Sequence, residues 1–252
     1  MRYKNKSNKL PFIVVLLTLI LSVSVVLTLF VHKKEETIDN NVNFSNLTMA
    51  CLGDSITLGN GDGEAPYCNA VGDILNLKNV YNYGIGWSTI GYMEDCHCHT
   101  NDYNHYPYVF RYSNIKQADI IAVMGGINDF GVYLPLGTIE DYESNTFYGA
   151  LNMLASGLKT KFNNSYIFFM TGFKYEQNSH VNAIGIDFSE YNQAIVDVCE
   201  KYNIDCFDVY NEIQFSRSLN TVDGIHPTED FVNNTWSPQI AQFIRDNYKS
   251  NS

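Results

Sequence analysis

The sequence predicts an α/β protein: a three-layer α/β/α sandwich around a five-stranded parallel sheet of the flavodoxin-like kind, preceded by one N-terminal transmembrane helix. Three observations predict it. Five short apolar runs are spread along the chain, each lacking the in-and-out alternation of a half-exposed strand. Segments with apolar residues at helical spacing lie between them. Near the N-terminus, residues 11–31 form a run of 21 without a charge, long enough to cross a hydrocarbon core of about 30 Å as a helix.

That first element is flanked by Arg2, Lys4, Lys6 and Lys9 on one side and by Lys33 and Lys34 on the other. The excess of positive charge before the run places the N-terminus in the cytoplasm and the remainder outside. The run ends in Leu29-Phe30-Val31-His32 with no small-x-small cleavage site, so an uncleaved signal anchor is expected rather than a secretory signal peptide. Residues 1–34 are then a basic stub and anchor, 35–47 an Asn- and Asp-rich tether, and 48–252 the exported domain. With six of the 16 Lys and Arg residues in the anchor, the part beyond residue 34 carries 10 against 27 Asp and Glu, a net charge of −17. Such a surface repels phosphate backbones, and nucleic acid is excluded as a partner.

Strands are expected at 48–52, 80–83, 120–124, 166–171 and 206–209. Ile139, Phe147, Leu151, Leu154 and Leu158 keep one helical face apolar, with Thr138 and Asp141 as a capping box. Tyr191, Ile195 and Val198 mark a second helix, and Ile240, Phe243 and Ile244 the last.

Four segments carry chemistry: Gly53-Asp54-Ser55-Ile56-Thr57, Asn82-Tyr83-Gly84-Ile85-Gly86, Gly125-Gly126-Ile127-Asn128-Asp129 and Asp223-Gly224-Ile225-His226-Pro227. The first three follow expected strands, at the carboxyl edge where ligands gather in such sheets. A serine hydroxyl is a poor nucleophile at neutral pH; it needs an imidazole to take its proton and a third group to orient that imidazole. Ser55, His226 and Asp223 are the right types. Each segment alone reads as a turn, and Ser55 alone as a helix N-cap; their conjunction is what is specific.

The order and spacing of the four segments resemble the SGNH (GDSL) hydrolase family over residues 49–247. The resemblance implies an α/β/α fold, a Ser55–His226–Asp223 triad, and an oxyanion hole made by the Ser55 N–H, a backbone N–H of the second segment and the Asn128 side-chain amide. The family's second segment runs Asn-x-Gly-x-x-Gly, whereas this chain has Trp87 at the last position, with Gly86 just before it. Either Gly86 or Trp87 is the expected donor; a backbone N–H survives the change to tryptophan provided the backbone there does not need a positive φ. Trp87 either walls the mouth of the site or packs into the core beside the second strand. The absence of a Gly-x-Ser-x-Gly elbow argues against the ordinary α/β-hydrolase fold.

Six cysteines in an exported chain permit disulfides, Cys199 with Cys206 being the best local pair. Cys51, in the strand before Ser55, reads as a small buried apolar residue. Cys96-His97-Cys98-His99 with His105 nearby lacks the Cys-x-x-Cys spacing of structural zinc sites, so a disulfide to Cys68 or a polar loop is expected there. No metal and no cofactor is expected. The function expected is a membrane-anchored, extracytoplasmic serine esterase acting on short-chain, acetyl-type esters of small molecules or glycans, with residues 172–187 as the variable wall of its site. An O-acyltransferase or lysophospholipase of the same family, and a catalytically inactive glycan-binding module, are the alternatives.

Overall fold

The computed structural model describes residues 42–59, 66–93, 107–174 and 181–249. The chain divides into two compact units, 1–42 and 43–252, and all the elements below belong to the second. The expected membrane-spanning segment, residues 11–31, lies outside the described residues. Among the described residues no helix is long and apolar enough to cross a membrane.

Five parallel strands, β1 (Thr48–Gly53), β2 (Asn79–Gly84), β3 (Ile120–Met124), β4 (Tyr166–Met170) and β5 (Asp205–Phe207), form one sheet in the order β2-β1-β3-β4-β5. β1 and β3 at its centre are buried almost throughout, as their unbroken apolar runs require; β2, at the edge, is half-buried. The connections are helical: α1 (Ser55–Leu58) and α2 (Tyr67–Leu75) between β1 and β2, α3 (Tyr108–Arg111) and then, after β3, α4 (Ile127–Gly131) and α5 (Phe147–Lys161), α6 (Phe188–Tyr202) between β4 and β5, and the C-terminal α7 (Ser237–Asn247). Crossovers between parallel strands are right-handed. The chain runs from β1 out to β2 and then back past β1 to β3, so the helices before and after that reversal cover opposite faces. α2 pairs with α7, and α5 pairs with α6. The flavodoxin-like sandwich is therefore observed, and its strand order reverses at β1, where a ligand crevice is expected.

Several local expectations are corrected. Thr138 and Asp141 do bond to each other, with Thr138 Oγ1 donating to Asp141 Oδ1 at 2.9 Å, but they form a separate turn. Helix α5 starts at Phe147, where the Thr146 side chain accepts from Gly149 N–H. The capping box that forms is Asp187 with Glu190, at the start of α6. The last strand stops at Phe207 because a helical turn begins at Val209. Cys51, Cys68, Cys199 and Cys206 are free thiols. Cys199 and Cys206 lie close to each other as expected but are free thiols rather than a disulfide; the neighbouring thiol and burial together push the Cys199 thiol far up. Cys51 is fully buried.

Candidate active site

The sheet positions Ser55 by a sharp turn. β1 ends at Gly53, and a Cβ added there would stand 1.8 Å from Thr57 Oγ1, so only glycine lets α1 fold back over the strand. Asp54, not Ser55, is the helix N-cap: its Oδ1 accepts from Ile56 N–H at 2.9 Å. Ser55 is thereby the first helical residue, 9% exposed. Asn82 fastens the neighbouring strand to this turn. Its Nδ2 donates to Thr57 O at 2.7 Å, and its Oδ1 accepts from Gly84 N–H at 2.8 Å.

His226 arrives on a loop that orders itself. Thr221 bridges Pro227, and Val222 N–H donates to His226 O at 2.9 Å. Inside the loop Asp223 Oδ1 accepts the N–H groups of Ile225 and His226, both at 2.9 Å, an Asx-type turn. Its other oxygen is 2.7 Å from His226 Nδ1, and His226 Nε2 is 2.8 Å from Ser55 Oγ. Partial burial acts to raise the Asp223 carboxyl, but the two amides and the imidazole outweigh it and hold the group at about 2. An ionised Asp223 keeps the proton on Nδ1, which leaves the Nε2 lone pair facing the Ser55 hydroxyl.

The third component is a turn over residues 85–88, closed by Ser88 N–H donating to Ile85 O at 3.2 Å. Trp87, its third residue, has φ +63°, while Gly86 is not among the positive-φ residues. This is the pattern of a type II turn, whose third position favours glycine. The condition under which tryptophan would be neutral there is therefore not met: a non-glycine residue in the left-handed region costs about 1 kcal/mol or more. Nor does the indole pack in the core, since Trp87 is 61% exposed. Gly126, also left-handed at φ +109°, starts α4 and sets Asn128 facing this turn, with Asn128 Nδ2 donating to Ser88 O at 3.0 Å. Among the described residues the second amide hydrogen of Asn128 has no acceptor. Among the described residues the N–H groups of Ser55 and Gly86 have no acceptor.

Sequence reasoning missed the groups that hold this turn. Arg111, buried on α3, donates to Tyr83 O and Gly53 O, each at 2.6 Å, and to Ser88 Oγ at 3.0 Å. It thus ties the ends of β2 and β1 to the turn. Asp129, fully buried, accepts from Ile90 N–H at 3.0 Å and Gly91 N–H at 2.9 Å. Burial, only partly offset by these amides, lifts its carboxyl to about 7. Asp54 is likewise lifted by burial to about 6, the Ile56 amide and the charges of His226 and Arg111 pulling the other way. Its Oδ2 has no partner among the described residues, and Asp54 lines a cavity of about 10 Å³ with Ile56, Gly125, Gly172 and Phe173. Asp129 had a signal, its place in the third segment; Arg111 had none.

Gly172 and Phe173 place the start of the expected variable wall beside Asp54, while residues 175–180 lie outside the described residues. So do Cys96 to His99 and His105. Among the described residues no group of three or more His, Cys, Asp or Glu side chains is placed to hold a metal ion.

A search of curated protein sequences gives no match. Among solved structures, a protein from Lactobacillus plantarum is 29% identical, with a TM-score of 0.72 over 83% of this chain and 100% of that one. A variant of an acetyl-xylooligosaccharide esterase from Geobacillus is 18% identical, with a TM-score of 0.55 over 83% of this chain and 98% of that one, a likeness of fold. The profile of the GDSL-like lipase/acylhydrolase family matches residues 51–231. The four segments, the strand order and this match agree, and the chain belongs to the GDSL-like lipase/acylhydrolase family.

Proposed function

We propose that this protein is a serine esterase that removes short, acetyl-type acyl groups from glycans outside the cell, held at the membrane by residues 11–31. The observation that carries the chemistry is the linear relay Asp223 Oδ2, His226, Ser55 Oγ, with contacts of 2.7 and 2.8 Å. Ser55 Oγ attacks the ester carbonyl carbon while His226 Nε2 takes the hydroxyl proton. The negative charge that forms on the carbonyl oxygen is met by the N–H groups of Ser55 and Gly86 and by the free amide hydrogen of Asn128, donors fixed before the substrate arrives. Collapse breaks the bond to the alkoxy oxygen, which leaves with the proton from Nε2. Water, deprotonated by the same nitrogen, then releases the acid and regenerates Ser55. Asp223 stays ionised throughout and stabilises the imidazolium.

Support for a glycan comes from the acidic exported surface, which disfavours anionic substrates, from 18 Tyr residues and from the exposed indole at the site. The test is hydrolysis of p-nitrophenyl acetate and of an O-acetylated oligosaccharide by wild type and by Ser55→Ala. A fall of about a thousandfold or more is expected in the variant; near-wild-type activity in folded Ser55→Ala would remove the serine mechanism.

A further inference from the structure

Trp87 combines three features rarely found together. Its backbone occupies the left-handed position of a type II turn, where glycine is at ease. Its indole is 61% exposed, although a side chain of this size is usually well buried. It also sits in the turn that carries the Gly86 N–H, and the next residue, Ser88, accepts the Asn128 amide. A strained backbone angle on an exposed aromatic residue beside the site points to a role for the indole in function.

The turn is rigid enough to present it. Ile85 N–H donates to Gly53 O at 3.0 Å, and Ser88 Oγ donates to Ile85 O at 2.8 Å. Arg111 holds Ser88 Oγ and the Gly53 carbonyl from below. A flat, exposed aromatic face one residue from an oxyanion donor is matched by a ligand with a broad C–H face and an ester one or two bonds away from it. An acylated pyranose ring has that shape. The net charge of −17 beyond residue 34 favours a neutral sugar over a uronate or an anionic phospholipid headgroup.

We propose that the Trp87 indole is the platform on which the neutral sugar ring next to the scissile ester stacks, making Trp87 the residue that sets preference for glycan esters over simple alkyl and aryl esters. This rests on the glycan-esterase reading above. In full-length protein, kcat and KM are measured for p-nitrophenyl acetate, p-nitrophenyl octanoate and an O-acetylated xylo-oligosaccharide, in wild type and in Trp87→Gly, Trp87→Ala and Trp87→Tyr. The ratio of kcat/KM on the oligosaccharide to that on p-nitrophenyl acetate is expected to fall about tenfold in the Gly and Ala variants, mainly through KM, and to recover in the Tyr variant. An unchanged ratio overturns the platform. So does a selective gain on the octanoate, which would make Trp87 a wall of the acyl pocket. Wild type that cleaves the aryl acetate but no acetylated oligosaccharide would instead overturn the glycan reading itself, and the platform with it.

Discussion

Arg111 Nη2 stands 2.6 Å from the carbonyl oxygen of Gly53, two residues before Ser55, so a buried cation on α3 fixes the end of the strand that leads into Ser55. The same guanidinium holds Tyr83 O and Ser88 Oγ. Three segments meet on one planar donor set, which a lysine cannot reproduce.

Replacing Arg111 with Met should remove the guanidinium donors to Tyr83 O and Ser88 Oγ and leave Gly53 O with the Ile85 N–H, at a cost of about 2–4 kcal/mol. On the proposed mechanism activity should fall further than stability explains, because the turn over residues 85–88 loses its anchor: kcat down about tenfold to a hundredfold, KM little changed. Arg111→Lys should fall between. Melting curves and steady-state kinetics check this, and a rise in KM at constant kcat would show that Arg111 touches substrate instead.

Asn128→Ala should lower kcat by about 10²- to 10³-fold with little change in KM, the usual cost of an oxyanion donor. The variant also loses the bond to Ser88 O. Asn128→Asp loses the same donors and sets a carboxylate beside the developing negative charge, so its kcat should fall at least as far as that of Asn128→Ala.

Stability should depend on pH through the two buried carboxyls. Asp54 and Asp129 hold their protons to about 6 and about 7 in the fold, against an ordinary value of 3.8. Between those values the folded chain binds more protons than the unfolded one. Their contribution is therefore fully present below about pH 4 and lost as pH rises through 6 and 7. Asp223, held at about 2, acts in the opposite sense: its contribution is present above about pH 4 and lost as pH falls towards 2. Asp54→Asn keeps the helix cap and removes one titration, so its melting temperature should decline less than wild type between pH 5 and pH 8. An identical decline would mean that the Asp54 carboxyl does not titrate in that window.

Trp87→Gly should not destabilise the protein. Relief of a left-handed tryptophan is worth about 1–2 kcal/mol, which the extra freedom of glycine in the unfolded chain offsets by about 0.5–1 kcal/mol. Thermal denaturation is the check, and a drop of several degrees would make the indole structural.

Full-length protein should stay with membranes through high-salt and carbonate washing, because burial of about twenty apolar residues is not an electrostatic attachment. N-terminal sequencing is the complementary measurement; a mature chain beginning after Val31 would mean that it is released.

The strands were legible wherever burial on both faces left an unbroken apolar run. β3 matches its expected bounds, Ile120–Met124, while at the sheet edge the expected 206–209 starts one residue late and overruns β5, because Val209 is as apolar as the strand but turns into a helix. Ser55, Asp223, His226 and Asn128 were legible because their side-chain types name their chemistry, and the fold brings them to one edge of the sheet. Two kinds of information were not. Arg111 owes its place to three acceptors from different segments, a conjunction that only the topology creates. The strain at Trp87 is a backbone angle; the sequence showed a missing glycine, not that the turn still demanded one.

The Ser55–His226 contact spans 171 residues of chain, while Asp223 and His226 find each other within one turn. The Asp223–His226 pair can therefore form locally in a nascent chain, but its contact with Ser55 waits until β1 and the C-terminal loop have both been synthesised and docked. Recovery of activity after dilution from denaturant should thus trail the far-ultraviolet signal of the sheet and helices, reporting the last long-range closure in folding rather than the first.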